Sequence, residues 1–521
     1  MCDPISDKLG RSKDGPLKII RRAVQLRKQW RALCHEFLPV YEEGSLWCYS
    51  RGWLRSDPHQ GWKIHISATI HSACEMLDSA APYLRGRGIL FKAVTTLDEL
   101  AKLNSGLWYG YSQIGKFITV YPLDEDQFQR TICDLEQLLP ADVAAPRIPF
   151  DLETTAGSNI FYRYGGFVTR TLVAENGTEV PAILSPSGKL IADRRDIPAP
   201  EWVSSPIVRK TIAKDRKAGS PLSSRYKVFS AHSQRGKGGV YEAFDTSFGP
   251  PVTCIIKEGR LHGETAWDGR DGRDRVENEA KVLADLLQKG VNVPHVFDHF
   301  EVDDNSYLVL EKISGTSLQR FVKDQNRLLT YKNAIEIGRK IAQLIARIHA
   351  AGWVWRDCKP TNLFVTNSGK LRPIDFEGAC RIDQPDRLPW NTPNFSPPEI
   401  FDVKRLKTLS SNIAEDLFAL GTVLYYIFEG KLPPSNDGRH PDASLRRVNN
   451  RERTADDHEN FCISFSRRGT PASVKSVITR LLGEDPDARP VASEVFEILS
   501  SIKCHFAKKV RKTHVVADRI E

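Results

Sequence analysis

Asp357, Lys359 and Asn362 sit together in Trp355-Arg356-Asp357-Cys358-Lys359-Pro360-Thr361-Asn362, and Asp375-Phe376-Glu377 begins thirteen residues beyond Asn362. Transfer of a phosphoryl group to a hydroxyl needs an acidic group to orient the attacking oxygen, a cation near the transferred phosphate, and oxygen ligands for magnesium. Asp357, Lys359, and the pair Asn362 and Asp375 supply these in turn.

A second set of residues suits a different chemistry. Lys63 and His65 are i and i+2 in the alternating stretch Trp62-Lys63-Ile64-His65-Ile66, so they share one face of a predicted strand. Lys92 lies in the predicted strand Ile89-Leu90-Phe91-Lys92-Ala93-Val94, and Lys116 opens a third, Lys116-Phe117-Ile118-Thr119-Val120-Tyr121. Arg147 and Arg163 follow in Pro146-Arg147-Ile148-Pro149 and Phe161-Tyr162-Arg163-Tyr164. Cations beside one histidine suit a phosphorylated ligand and, more specifically, β-elimination of phosphate. That reaction needs a base for the α-proton, an acid for the leaving phosphate and cations to bear its charge. A lysine base must be neutral, and lowering its pKa by ~3 units takes about 4 kcal/mol of differential interaction. Neighbouring cations such as Lys63 and Lys116, with partial burial, are the expected source. The alternative is a phosphopeptide- or leader-binding module without catalysis.

The elements that must position these residues form two regions of different texture. Up to about residue 205, short apolar strands alternate with helical patterns: a helix over 69–83, then Thr96-Leu97-Asp98-Glu99 as a capping box opening another. Strand–helix–strand order predicts parallel pairing with right-handed crossovers, which would bring Lys63, His65 and Lys92 to one sheet face. Residues 226–506 hold the longest periodic helices, and the greasy stretch Leu417 to Phe428 reads as a buried helix, too short for a membrane span. Between the regions, Arg194 to Ser224 is rich in Pro, Ser and charge and reads as a linker or extended wrap.

The 521 residues, 40% hydrophobic and 27% charged, are of ordinary globular composition, which excludes a mainly disordered chain. The net charge of +9 is mild for this length and gives no case for a nucleic-acid partner; the closing cluster Lys503, Lys508, Lys509, Arg511, Lys512 reads as a solvated tail. The polar N-terminus has no secretory segment, and ten scattered cysteines without a CxxC pair read as reduced thiols, so a cytoplasmic location is expected.

The Asp-x-Lys-Pro-x-Asn motif with Asp-Phe downstream resembles the catalytic loop and metal-binding motif of protein kinases. Other parts follow in order over residues 226–506. Cys254-Ile255-Ile256-Lys257 resembles the strand whose Lys holds the nucleotide phosphates. Its implied partner is Glu279, with Glu277 a close competitor, and Tyr307-Leu308-Val309-Leu310-Glu311 resembles the strand leading to the hinge that holds the purine. Pro397-Pro398-Glu399 resembles the end of an activation segment containing Thr392 and Ser396; Asp416 and Arg489 match residues that brace the large lobe. The resemblance implies ATP or another nucleoside triphosphate with magnesium, bound through Lys257, Glu279, Gly238, Glu311, Asn362 and Asp375. Lys359 after Asp357 implies a Ser/Thr acceptor. Three departures stand out. In Ser233-Gln234-Arg235-Gly236-Lys237-Gly238-Gly239-Val240, Ser233 and Arg235 replace the first two loop glycines. Trp355 replaces a His, and Glu377 replaces the Gly after Asp-Phe, which should stiffen that turn. A Gly- and Asp-rich insertion also separates Lys257 from Glu279.

Lys-x-His followed 27 residues later by Lys92 resembles the bacterial phosphothreonine lyases, in which the second Lys is the base and the His the acid. The wider series Gly61 to Ser67, Leu103-Asn104-Ser105-Gly106, Tyr111 to Pro122 and Tyr162-Arg163-Tyr164-Gly165 resembles the N-terminal lyase domain of class III lanthipeptide synthetases. In that family a lyase domain precedes a kinase domain whose motif is also Asp-Phe-Glu. The resemblance implies that Lys92 and His65 act as base and acid with Lys63, and that Lys116 and Arg163 hold phosphate. A cyclase domain, usual in the family, has no counterpart here, so a separate cyclase or none is expected.

The expectation is an α+β chain: an N-terminal α/β lyase-like domain over 1–205, a linker over 206–225, a bilobal kinase-like domain over 226–506 and a basic tail over 507–521. It would phosphorylate Ser or Thr of a precursor peptide and then eliminate the phosphate. The alternative is a signalling Ser/Thr kinase with a non-catalytic N-terminal module.

Overall fold

The computed structural model describes residues 16–207, 221–324, 328–386, 390, 392–401, 412–434 and 463–502. Most of the expected linker and all of the expected basic tail lie outside them. The described residues fall into two compact units, one within 1–313 together with 375–379, the other from 314 to 374 and from 380 onward.

The first unit opens with helix α1 (Pro16–Phe37) and a seven-stranded sheet. Its strands are β1 (Val40–Tyr41), β2 (Trp47–Tyr49), β3 (Gln60–Ile66), β4 (Leu90–Val94), β5 (Ile118–Tyr121), β6 (Leu152–Glu153) and β7 (Ile160–Gly166), in the order β1-β2-β4-β5-β3-β7-β6. Every pairing between neighbours is antiparallel, which corrects the expectation of parallel neighbours. Helix α2 (Ala73–Gly86) does link β3 and β4 in the same direction, as a crossover requires. β5, however, inserts between them in the opposite direction. Ala93 at the end of β4 pairs with Ile118 at the start of β5, so the chain through helix α3 (Leu97–Ser105) returns to the sheet end it left.

Strand alternation then separates two faces. Ile64, Ile66, Phe91, Ala93, Ile118, Val120 and Tyr162 face a core shared with Met76, Leu77 and Leu84 of α2, Leu100 and Leu103 of α3, and Phe128 of helix α4 (Glu125–Leu138). Burial of each large apolar side chain stabilises by roughly 1.5–3 kcal/mol. The starts of α3 and α4 are set by Thr96 and Asp124, whose side chains accept from Glu99 N and Gln127 N. Three further strands, β8 (Thr171–Val173), β9 (Glu179–Leu184) and β10 (Leu190–Ala192), form a small antiparallel sheet.

The same unit also contains a five-stranded antiparallel sheet: β11 (Tyr226–Arg235), β12 (Gly238–Asp245), β13 (Val252–Gly259), β15 (Asn305–Glu311) and β14 (Val296–Val302), in that spatial order. The helix Gly272–Gln288 packs on it, opened by a capping box of Asp271 and Asp274. The other unit is mainly helical, with Tyr331–Ala350, Ile413–Glu429, Ala472–Leu481 and Ala492–Ser501. Ile413–Glu429 includes the greasy stretch and is buried almost throughout. No helix among the described residues is long and apolar enough to cross a membrane.

Candidate active sites

The face of the seven-stranded sheet opposite the core carries the expected cations. Register fixes their arrangement. His65 pairs with Thr119 of β5, and Thr119 pairs with Lys92 of β4; on the other side of β3, Lys63 pairs with Arg163 of β7. Lys116 precedes β5 and is buried. The sheet thus assembles Lys63, His65, Lys92, Lys116 and Arg163, although by a different strand order from the one expected. Arg147, by contrast, is exposed and pairs with Glu153 at 2.9 Å.

Two carboxylates that the motif reading missed organise this cluster. Asp151 accepts from His65 Nδ1 at 2.5 Å and pairs with Lys116 at 3.1 Å. Asp193 pairs with Arg163 at 2.8 Å and accepts from Gly166 N. Lys63 donates to the Gly166 carbonyl at 2.7 Å. Asp151 lies in Ile148-Pro149-Phe150-Asp151, an acidic residue closing an apolar stretch. That setting is the one local signal that could have marked it.

Burial is the main electrostatic force here. It pushes Lys92 down to about 7, helped by the charges of Arg195 and Lys116, and Lys63 down to about 7, helped by Arg163. Lys92 has no ion-pair partner among the described residues; its ammonium lies 4.1 Å from the Trp47 ring centroid. Burial also pushes His65 down to about 3, against the opposing pull of Asp151. Lys116, His65 and Arg163 hold Asp151 ionised against its own burial. Four basic side chains therefore face two carboxylates in a desolvated setting, which favours an anionic ligand.

In the five-stranded sheet, Lys257 of β13 donates to Glu279 at 2.7 and 2.8 Å and to Asp375 at 2.8 Å. Phe376 N donates to the same Glu279 carboxylate at 3.0 Å. Burial disfavours the charged Lys257 ammonium, but Asp375 and Glu279 outweigh it and raise the pKa well above normal. Glu277 pairs instead with Arg273, which settles the competition in favour of Glu279. Gly238 has φ +147°, and a Cβ there would lie 1.7 Å from the Glu258 carbonyl, so only glycine fits. Glu377 is ion-paired with Lys237, and Asn278 holds the Glu377 and Ala379 carbonyls; these bonds restrain the Asp-Phe-Glu turn. Glu311 ends β15, its N–H donating to the His295 carbonyl.

In the helical unit, Asp357 is the centre of a hydrogen-bond network. Lys359 donates to both its oxygens at 2.8 Å, Asn362 Nδ2 to one at 2.7 Å, and Thr392 Oγ1 to the other at 2.8 Å. The loop is held from below by Asp416, which accepts from Trp355 N at 2.8 Å and Arg356 N at 2.6 Å. Buried Arg356 pairs with Glu415 and Asp386, and Arg489 pairs with Glu399. Trp355 fills the histidine position as a fully buried ring.

Comparison with known proteins agrees with both halves. Residues 39–244 match the family model described as RamC, N-terminal domain, and residues 236–498 match that of the protein kinase domain. Over 405 residues the chain is 32% identical to the probable SapB synthase of Streptomyces coelicolor, an overlap covering 75% of this chain and 42% of that protein. It is 28% identical over 287 residues to a probable serine/threonine-protein kinase of Clostridium perfringens, covering 55% and 39%. It is 26% identical over 229 residues to the serine/threonine-protein kinase PknA of Mycobacterium tuberculosis, covering 43% and 51%. The chain thus matches about two fifths of the length of the first two relatives. The kinase match spans half of the chain and coincides with the Lys257–Glu279–Asp375 and Asp357–Lys359–Asn362 groupings: this chain belongs to the protein kinase family, and a RamC-type N-terminal domain precedes its kinase domain.

Proposed function

We propose that the chain dehydrates Ser or Thr residues of a precursor peptide in two steps, phosphorylation followed by β-elimination of phosphate, as in lanthipeptide-type biosynthesis. The observation that carries this reading is the convergence of Lys92, His65, Lys63, Lys116 and Arg163 on one sheet face in a chain that also matches the protein kinase domain. The similarity to the probable SapB synthase of Streptomyces coelicolor supports it.

In the first step Asp357 orients the attacking hydroxyl and accepts its proton, and Lys359 lies beside it to offset the phosphate charge. Lys257, fixed by Glu279, would hold the nucleotide phosphates. The amide oxygen of Asn362 and the carboxylate of Asp375 are oxygen donors of the type magnesium selects. Bound magnesium would neutralise charge on the nucleotide phosphates.

In the second step neutral Lys92 takes the α-proton of the phosphorylated residue. The C–H electrons form the Cα=Cβ bond, the Cβ–O bond breaks, and the phosphate leaves with its bridging oxygen, protonated by His65. The products are dehydroalanine or dehydrobutyrine and inorganic phosphate. His65 is neutral in the free site; the charges of the entering phosphate raise its proton affinity, so substrate binding loads the acid. Lys63, Lys116 and Arg163 bear the phosphate charge, and Asp151 orients His65. One chain carrying both activities raises the effective concentration of the phosphorylated intermediate.

Incubating the chain with magnesium, a nucleoside triphosphate and a Ser/Thr precursor peptide tests this reading. Time-resolved intact-mass spectra should show a phosphorylated peptide converting to a dehydrated one. A phosphorylated product that persists would replace this reading with a kinase carrying a non-catalytic N-terminal module.

A further inference from the structure

The apex of the glycine-rich hairpin is fastened to the N-terminal domain. Arg235 and Gly238 pair across the turn between β11 and β12, leaving Gly236 and Lys237 at the tip. Gly236 N–H donates to the carbonyl of Ser105, the last residue of α3, at 2.9 Å. A Cβ on Gly236 would lie 1.7 Å from the Asn104 carbonyl oxygen, so the two backbones are in direct contact.

The insertion after β13 grips the same tip. Arg260 N donates to the Lys237 carbonyl at 2.9 Å, and its guanidinium to the Arg235 carbonyl at 3.0 Å. That insertion is itself docked on the N-terminal domain. His71 Nε2 meets the Ala266 carbonyl at 2.8 Å, and its ring stands edge-on to Trp267. The Arg27 guanidinium lies 4.6 Å from the Trp267 ring centroid, and that of Arg260 lies 5.2 Å from Tyr111. Asn104 continues the path inward. Its Oδ1 accepts from Gly115 N at 3.1 Å, immediately before Lys116 of the elimination cluster.

A kinase hairpin of this kind covers the nucleotide phosphates. A free hairpin must lose conformational freedom when the nucleotide binds, and that loss weakens binding. Here the tip is already ordered by contacts with another domain. We propose that the N-terminal domain has a second function, as the anchor of the phosphate-binding hairpin, so that nucleotide affinity depends on the Asn104–Ser105 and His71–Trp267 contacts. The inference rests on Ser233 to Val240 being the nucleotide hairpin. None of the anchoring residues belongs to the nucleotide-binding or proton-transfer groups, so the contact and the chemistry can be separated.

The test is calorimetric titration of the full chain with magnesium-ADP, comparing the parent with His71→Ala and with the His71→Ala/Trp267→Ala double variant. The expected result is roughly tenfold weaker binding in the double variant, with parent-like circular dichroism. Affinity within about twofold of the parent in a folded double variant would overturn the proposal. Hydrogen exchange on the parent chain gives a second, mutation-free reading. The Gly236 amide should exchange slowly without nucleotide, and exchange at the rate of an open loop would overturn the anchor. A parent that bound no nucleotide would overturn the kinase reading along with it.

Discussion

His65 and Lys92 stand on one face of an antiparallel sheet, two strands apart, both in register with Thr119 of the strand between them. Strands lie about 4.8 Å apart, so the two backbones are separated by about 10 Å. Under the proposed mechanism, the phosphorylated Ser or Thr side chain would be handled between Lys92 as base and His65 as acid. Lys63 and Arg163 form the next row along the same face, and the proposed mechanism assigns them to the leaving phosphate.

Lys92→Ala removes the base and leaves the kinase groups untouched. Elimination should slow by roughly 10²–10⁴-fold, the usual contribution of a positioned base. Phosphorylated peptide should then accumulate, and intact-mass spectrometry reads it directly. Elimination at the parent rate would contradict the role given to Lys92.

The pH profile follows from the same residue. Lys92 accepts a proton only when neutral, and its pKa in the free site is about 7. Lys63 bears phosphate charge only when protonated, and its free-site pKa is also about 7, so kcat/KM for elimination from a phosphopeptide should peak near pH 7, with an acid-side limb where Lys92 gains its proton. In the Lys92→Ala variant, that limb should be absent from any residual activity.

Asp151→Asn removes the carboxylate shared by His65 and Lys116. Breaking a buried charge pair on one side typically costs about 3–5 kcal/mol. Chemical denaturation should show a loss of that order, and elimination should slow because His65 loses the partner that orients it and stabilises its charged form.

Much of this site is legible in the sequence because alternation is a local property. Lys63 and His65 share a face by spacing alone, and Lys92 follows once its strand is identified. Strand order is not local. The insertion of β5 between β3 and β4 depends on where the segment after α3 returns, and no short-range pattern encodes it. Asp151 and Asp193 were hidden for the same reason, since each meets its partners only through tertiary packing, and Asp151 lies 86 residues from His65. The kinase half was more legible. Asp357, Lys359 and Asn362 are close in sequence as well as in space, so a motif captures them. The choice between Glu279 and Glu277 still needed the structure, because helical spacing alone admits both.

Asp357→Asn separates the two activities from the other side. With a precursor peptide and nucleotide, neither phosphorylated nor dehydrated product should form. With a pre-phosphorylated peptide, elimination should proceed at the parent rate. Dehydration of the unphosphorylated peptide by this variant would show that another group initiates the reaction.

The most direct measurement is the intact mass of a Ser/Thr phosphopeptide incubated with the full chain in the absence of nucleotide. The account predicts loss of phosphoric acid, about 98 Da per phosphorylated residue, at a rate that depends on Lys92 and His65. A phosphopeptide bearing its native leader that keeps its full mass would contradict the elimination chemistry assigned to the N-terminal domain.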